Sequence, residues 1–142
     1  MTNEIRREPP SWFLFAAIAT LLWELIGCSM YLMQVSVDPA RLPSDQRAIW
    51  EAAPGWMIGA YGLAVWSGLA GAILLLLKRR SAAPVLLVSL LAVIVQNSAL
   101  LLVPEMRNLM TSDVLLMPFV IIVVCFVIWQ FAHKAKQAGW LR

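Results

Sequence analysis

Histidine occurs once in this chain and cysteine twice, too few to build a spaced His and Cys metal cluster. Both cysteines, Cys28 and Cys125, lie inside apolar runs, so a secreted disulfide framework is not indicated. Counted along their segments they fall at different depths, about 24 and 12 Å from one end, which excludes a redox pair. There is no Gly-rich phosphate loop and no nucleophile elbow. Charge is scarce too, at 13% of residues, and the eleven Lys and Arg stand in short clusters without interleaved aromatics. That pattern argues against a nucleic-acid surface. Together these absences point away from an enzyme, a cofactor and a metal site.

What is present is apolar, 61% of 142 residues, far above the average for a soluble domain. Four runs, at about 12–35, 54–77, 84–103 and 114–132, are long enough at about 1.5 Å per residue to cross or nearly cross a hydrocarbon core of roughly 30 Å. They predict an all-α, four-helix transmembrane bundle, one integral membrane domain over 1–142, with the lipid bilayer as its solvent. A polar tail with Glu4, Arg6, Arg7 and Glu8 precedes the first run, which Ser11 would cap and Trp12 would anchor at the interface. Leu25-Ile26-Gly27-Cys28 also resembles a lipoprotein cleavage signal, but Glu24 interrupts that stretch and the apolar run continues past Cys28. Residues 46–53 read as a short amphipathic helix on the membrane surface, with Trp50 and Trp56 at headgroup level. Pro54 and Pro84 open the second and third helices, and the short link between these makes them antiparallel neighbours. Residues 105–112 read as a polar loop, with Asp113 capping the fourth helix, whose all-round apolar surface suits the bundle edge.

The second run carries Ala60, Ala64, Gly68 and Ala72 at four-residue spacing, with Gly55 and Gly59 as a further pair. Lipid provides no hydrophobic drive between helices, so a face of small residues predicts close packing, and this helix is expected to be the most buried. Glu24 is the most informative single residue. A carboxylate in the hydrocarbon costs about 3 kcal/mol or more unless protonated, paired or hydrated, so it should face the bundle interior. Ala17, Thr20, Gly27, Cys28 and Tyr31 share its side of the helix, while Ser89, Ala92, Gln96 and Ala99 form a matching face on the third helix with Asn97 beside it. Counted from the helix ends, Glu24 and Gln96 lie about 18 Å deep and Trp66 about 16 Å. The candidate pocket is therefore Glu24, Gln96, Asn97 and Trp66. It would either bind a proton or ligand, or let Gln96 or Asn97 hydrogen-bond a protonated Glu24 as interhelical glue.

Pro54-Gly55-Trp56, the run from Ala64-Val65-Trp66-Ser67-Gly68 into Lys78-Arg79-Arg80, Met117-Pro118 and the closing Gly139-Trp140-Leu141 resemble a set of small four-helix bacterial membrane proteins often labelled sugar transporters. In that set an uncharged residue is usual where this chain has Glu24. Glu24-Leu25-Ile26-Gly27-Cys28-Ser29-Met30 and Val65-Trp66-Ser67-Gly68 are similar to segments of small multidrug resistance transporters, in which a membrane-embedded Glu binds protons and cations. The Trp-Ser-Gly helix is third in those proteins and second here. Two functions follow as expectations: a transporter-like protein for a small solute, working as a homo-oligomer, or an accessory membrane protein that packs on a partner membrane protein through the second helix.

The amino tail holds two Lys and Arg, the second link three and the carboxyl tail three, whereas the first and third links hold three between them. This bias predicts a bacterial inner-membrane protein with both termini cytoplasmic. In cysteine-accessibility labelling, Asp45→Cys should react with an impermeant reagent from outside and Arg79→Cys only after the membrane is opened. The reverse pattern would invert the topology.

Overall fold

The computed structural model describes residues 7–109 and 111–142; Glu4 and Arg6, read as part of the polar tail, lie outside them. The described chain is all helical: α1 (Trp12–Ser36), α2 (Ser44–Ala52), α3 (Gly55–Leu76), α4 (Ala82–Leu102), α5 (Pro104–Leu109) and α6 (Ser112–Gln137), with a 3-10 turn at Pro39–Arg41. Four of these, α1, α3, α4 and α6, have the length and apolar composition of membrane spans, so the chain is a multi-pass membrane protein. The α3/α4 pair forms the centre, α1 packs on α3, and α6 packs on α4.

Small residues decide that arrangement. Ala64, Gly68, Gly71, Ala72 and Leu75 of α3 are all buried. A Cβ placed on Gly71 would stand 2.6 Å from Leu86 Cγ and 3.3 Å from the Leu86 backbone nitrogen, so the two helices meet where a side chain is missing. Not all of the predicted face takes part: Gly55 and Gly59 have nothing within 4 Å of the position a Cβ would occupy. Nor is α3 alone the most buried helix, because α4 buries an equal share. Every close approach has two sides, and Leu86, Ser89, Leu90 and Val93 of α4 are buried as deeply. The least buried span is α6, as its uniform apolar surface suggests, and its buried residues, Cys125, Ile128, Ala132 and Ala135, all lie in its second half.

The ends depart from the sequence reading in instructive ways. Residues 105–112 do not form a loop throughout: Pro104 takes the first position of a new helix, for which its fixed φ is suited, while Val103 before it is extended. Met106 of α5, 1% exposed, then packs with Ala99 and Leu100 and against Ile49, Ala52 and Met57. Thus α2 rests on α5. At the other end α6 continues five residues past Ala132, because Ala135 is fully buried although Lys134 and Lys136 flank it. Thr111, not Asp113, occupies the cap position of α6, and neither it nor Ser11 makes a side-chain cap bond. Asp113 instead lies in the first turn, where a negative charge favours the helix dipole. Pro54 precedes the first helical residue of α3, and Pro84 is the third residue of α4.

Both α3 and α6 finish in the same motif. Lys78 (φ 56°) and Gly139 (φ 79°) adopt the left-handed conformation. Around them Arg79 N donates to Leu74 O at 2.8 Å and Trp140 N to Ala135 O at 3.1 Å, the paired closure of a Schellman ending.

Two glycines of α3 should respond differently to the same substitution. In detergent unfolding, Gly71→Ala should lose about 1–3 kcal/mol by forcing Leu86 away. Gly59→Ala should change stability by less than about 0.5 kcal/mol. Equal effects would mean that α3 is not held by this contact.

Candidate functional site

The buried residues of α1 are Phe13, Ala17, Thr20, Glu24 and Cys28, spaced three and four apart, and together they make one stripe against α3. Hydroxyl and thiol on this stripe find local partners. Thr20 Oγ1 donates to Ala16 O at 2.9 Å, and Cys28 Sγ donates across the interface to Val65 O at 3.4 Å. Glu24 lies between them and is 5% exposed.

Its carboxyl occupies the space left by Gly68. A Cβ on Gly68 would overlap Oε2 of Glu24, stand 2.6 Å from its Cδ, and lie 2.9 Å from Ser89 Oγ of α4. Three helices therefore converge on one vacancy: α1 supplies an acid, α4 a hydroxyl, and α3 the missing side chain. The Ser89 hydroxyl donates its proton to Ala64 O at 2.7 Å, which leaves its lone pairs as acceptors.

Among the described residues Glu24 has neither a hydrogen bond nor an ion pair; the one salt bridge found there, Arg41 with Asp38 at 3.9 Å, belongs to the opposite end of α1. No fully sealed side-chain oxygen among these residues lacks a partner, so the carboxyl of Glu24 keeps a small opening to its surroundings. The arrangement is an acid almost wholly removed from solvent, unpaired, and not closed off. A bare negative charge in such a place is costly, and a proton or a small cation at the carboxyl neutralises it. Ser89 Oγ borders the same vacancy, with lone pairs that its bond to Ala64 O leaves open.

The other residues of the candidate pocket are not gathered at this point. Asn97 Nδ2 donates to Val93 O of its own helix at 2.9 Å, and Gln96, half-buried, makes no hydrogen bond to Glu24. Trp66 is 47% exposed and stands edge-on to Tyr31, 6.4 Å between ring centroids. Tyr31 is in turn T-shaped against Tyr61 at 5.2 Å, and a Cβ on Gly62 would be 3.0 Å from its hydroxyl. The face of α4 chosen from sequence is the right one, since Ser89, Ala92 and Ala99 are buried on it. The level differs. Ser89, about two turns nearer the start of α4 than Gln96, borders the Gly68 position together with Glu24. No sequence signal singles out Ser89, because a count of residues from the helix ends does not contain where α1 and α4 pass each other.

Stability measurements separate these polar residues. Ser89→Ala takes the donor from Ala64 O and should cost about 1–2 kcal/mol in detergent unfolding. Asn97→Ala and Gln96→Leu should each stay within about 0.5 kcal/mol, since neither removes a bond between helices. A Gln96→Leu loss larger than that of Ser89→Ala would restore Gln96 as the partner of Glu24. No family model, curated protein or solved structure matches this chain, so its function has to be argued from the Glu24 geometry itself.

Proposed function

We propose that the chain is a transporter-like protein of the bacterial inner membrane, its basic end cytoplasmic, in which Glu24 takes up and releases a proton or small cation as a small solute is moved. One observation carries this reading: the Glu24 carboxyl, 5% exposed, lies on Gly68 without a hydrogen bond or counter-charge among the described residues. An acid retained only as interhelical glue would be bonded, because an unpaired buried polar group costs stability that a well-packed apolar residue of similar volume would not. Its neighbours point the same way, since Ser89 Oγ offers lone pairs beside it.

The accessory alternative loses its surface. Ala64, Gly68 and Ala72, the face through which a partner would pack, are buried within the chain itself. A second copy remains part of the proposal for a different reason, since four helices with a filled centre enclose no wide pathway. Large apolar side chains exposed on α1 and on the first half of α6, among them Phe15, Leu22, Ile26, Leu116 and Phe119, are compatible with lipid or with another copy.

Glu24→Gln tests the proposal because it keeps size and a hydrogen-bonding head while removing the exchangeable charge. The variant should reach the membrane and unfold in detergent like the parent, within about 1 kcal/mol. In a deletion strain surveyed for solute uptake and drug susceptibility, it should fail to restore whatever the parent restores, and Gln96→Leu should restore it fully. Full restoration by Glu24→Gln would sink the exchange reading.

A further inference from the structure

We infer that the basic end of the bundle is a binding site for the headgroup of an anionic phospholipid, held by Lys78, Arg79, Lys134, Lys136 and Arg142 beside Trp12 and Trp140. This does not depend on the role of Glu24.

The fold builds this end from three segments remote in sequence. Arg142 N donates to Lys78 O at 2.5 Å and Arg80 N donates to Arg142 O at 2.7 Å, so the tail after α6 pairs with the link after α3. The two left-handed residues, Lys78 and Gly139, turn the chain into that bridge. Leu141, 2% exposed, plugs into the cluster of Phe13, Leu75, Ala82 and Ala135, which fixes the bridge to the helix ends. Trp12 at the start of α1 then meets Trp140 edge-on at 5.7 Å and Phe131 at 5.8 Å.

Packing thus crowds positive charge. Seven Lys and Arg, with Arg7 included, stand at this end against one described acidic side chain, Glu8. The opposite end is different: Arg41 pairs with Asp38, and Arg47 donates to the carbonyls of Pro39 and Ala40 at 2.9 and 2.6 Å. Leaving Arg80 aside, the described cations of the basic end make no side-chain hydrogen bond or ion pair with the protein. Like charges fastened together by backbone bonds repel, and an anion from outside relieves the repulsion. The aromatic shelf chooses among anions. Trp12 is 52% exposed beside the cations, and an indole of this kind prefers the boundary between hydrocarbon and headgroups. A ligand that meets both surfaces is a phosphate with an acyl-bearing glycerol below it, which a free phosphate lacks.

The test uses the full chain in a nonionic detergent, titrated with short-chain phosphatidylglycerol and read by tryptophan fluorescence and by native mass spectrometry. Binding should be saturable and weakened by salt. Phosphatidylcholine of the same chain length should not saturate the site, and inorganic phosphate should compete only weakly. Each cation removed should weaken binding about fivefold, so Lys134→Gln with Lys136→Gln should weaken it about twentyfold or more. Arg79→Gln, at another exposed position of the same end, should give its own fivefold loss, and Arg107→Gln at the far end should give none. Unchanged phosphatidylglycerol binding in both the double variant and Arg79→Gln overturns the proposal. So does inorganic phosphate that binds as tightly as the lipid, which would make this a free-phosphate site, or phosphatidylcholine that binds equally well.

Discussion

The approach of α3 to its neighbours at Gly68 and Gly71 is the constraint on which the other features of this bundle depend. Helices in lipid gain nothing from hiding apolar surface, since the lipid is equally apolar, and must be held by dispersion and by the few bonds they can exchange. Gly71 lets Leu86 lie against the backbone of α3, and Gly68 makes the matching room for α1. Ser89 fastens the same interface with its bond to Ala64 O, and Cys28 does so on the other side with Val65 O. A central helix without side chains at two adjacent turns can be approached from two directions. That is why the order in space is α1, α3, α4, α6, with α3 and α4 in the middle.

The same missing side chain that permits packing also makes the site. Had residue 68 been alanine, the Glu24 carboxyl would have to shift from its present place, because the Cβ would overlap it. The acid is therefore located by an absence on one helix and faces a hydroxyl on another. Its lack of a bonded partner is a consequence of this geometry: Ser89 is already engaged as a donor with Ala64 O and offers only lone pairs. A group of that kind pairs well with an acid that still carries its proton, or with a cation shared between the two oxygens. It pairs poorly with a bare carboxylate, and the chemistry proposed for Glu24 rests on this asymmetry.

Much of this was legible from residue types alone, and the reason is that membranes impose strong rules. Four apolar runs, the small face on the second, and the inward orientation of Glu24 follow from the cost of placing polar groups in hydrocarbon. The face of α4 was legible as well, because Ser89, Ala92 and Ala99 recur at helical spacing. What the sequence did not carry was information finer than one turn. Gln96 and Ser89 lie on that one face about two turns apart, and where the helices cross decides which of them comes level with Glu24. Likewise Gly55, Gly59, Gly68 and Gly71 are chemically identical, yet two are open and two are tight, because contact depends on where the neighbouring helix crosses. The helix ends were hidden for another reason. An apolarity rule stops at His133, but Ala135 is buried by a tail that folds back from beyond the helix.

The two ends of the bundle are closed by unlike means, and the difference bears on how the middle is reached. At the basic end, backbone pairing between residues 78–80 and Arg142, a buried Leu141 and a cluster of four aromatic rings bind α1, α3, α4 and α6 into one body. At the other end Met106 joins α2 and α5 to α3 and α4, while the first half of α6, from Ser112 through Val120, has no buried residue. Pro118 falls within that half and removes one backbone hydrogen-bond donor from the helix. Displacing this part of α6 breaks few contacts, whereas displacing its second half would break the core around Ile128 and Ala132. Movement is therefore least costly on the side of the bundle away from the basic end. Any change in access to Glu24 is expected to come from there, with the Gly71 contact and the basic bridge as its fixed base.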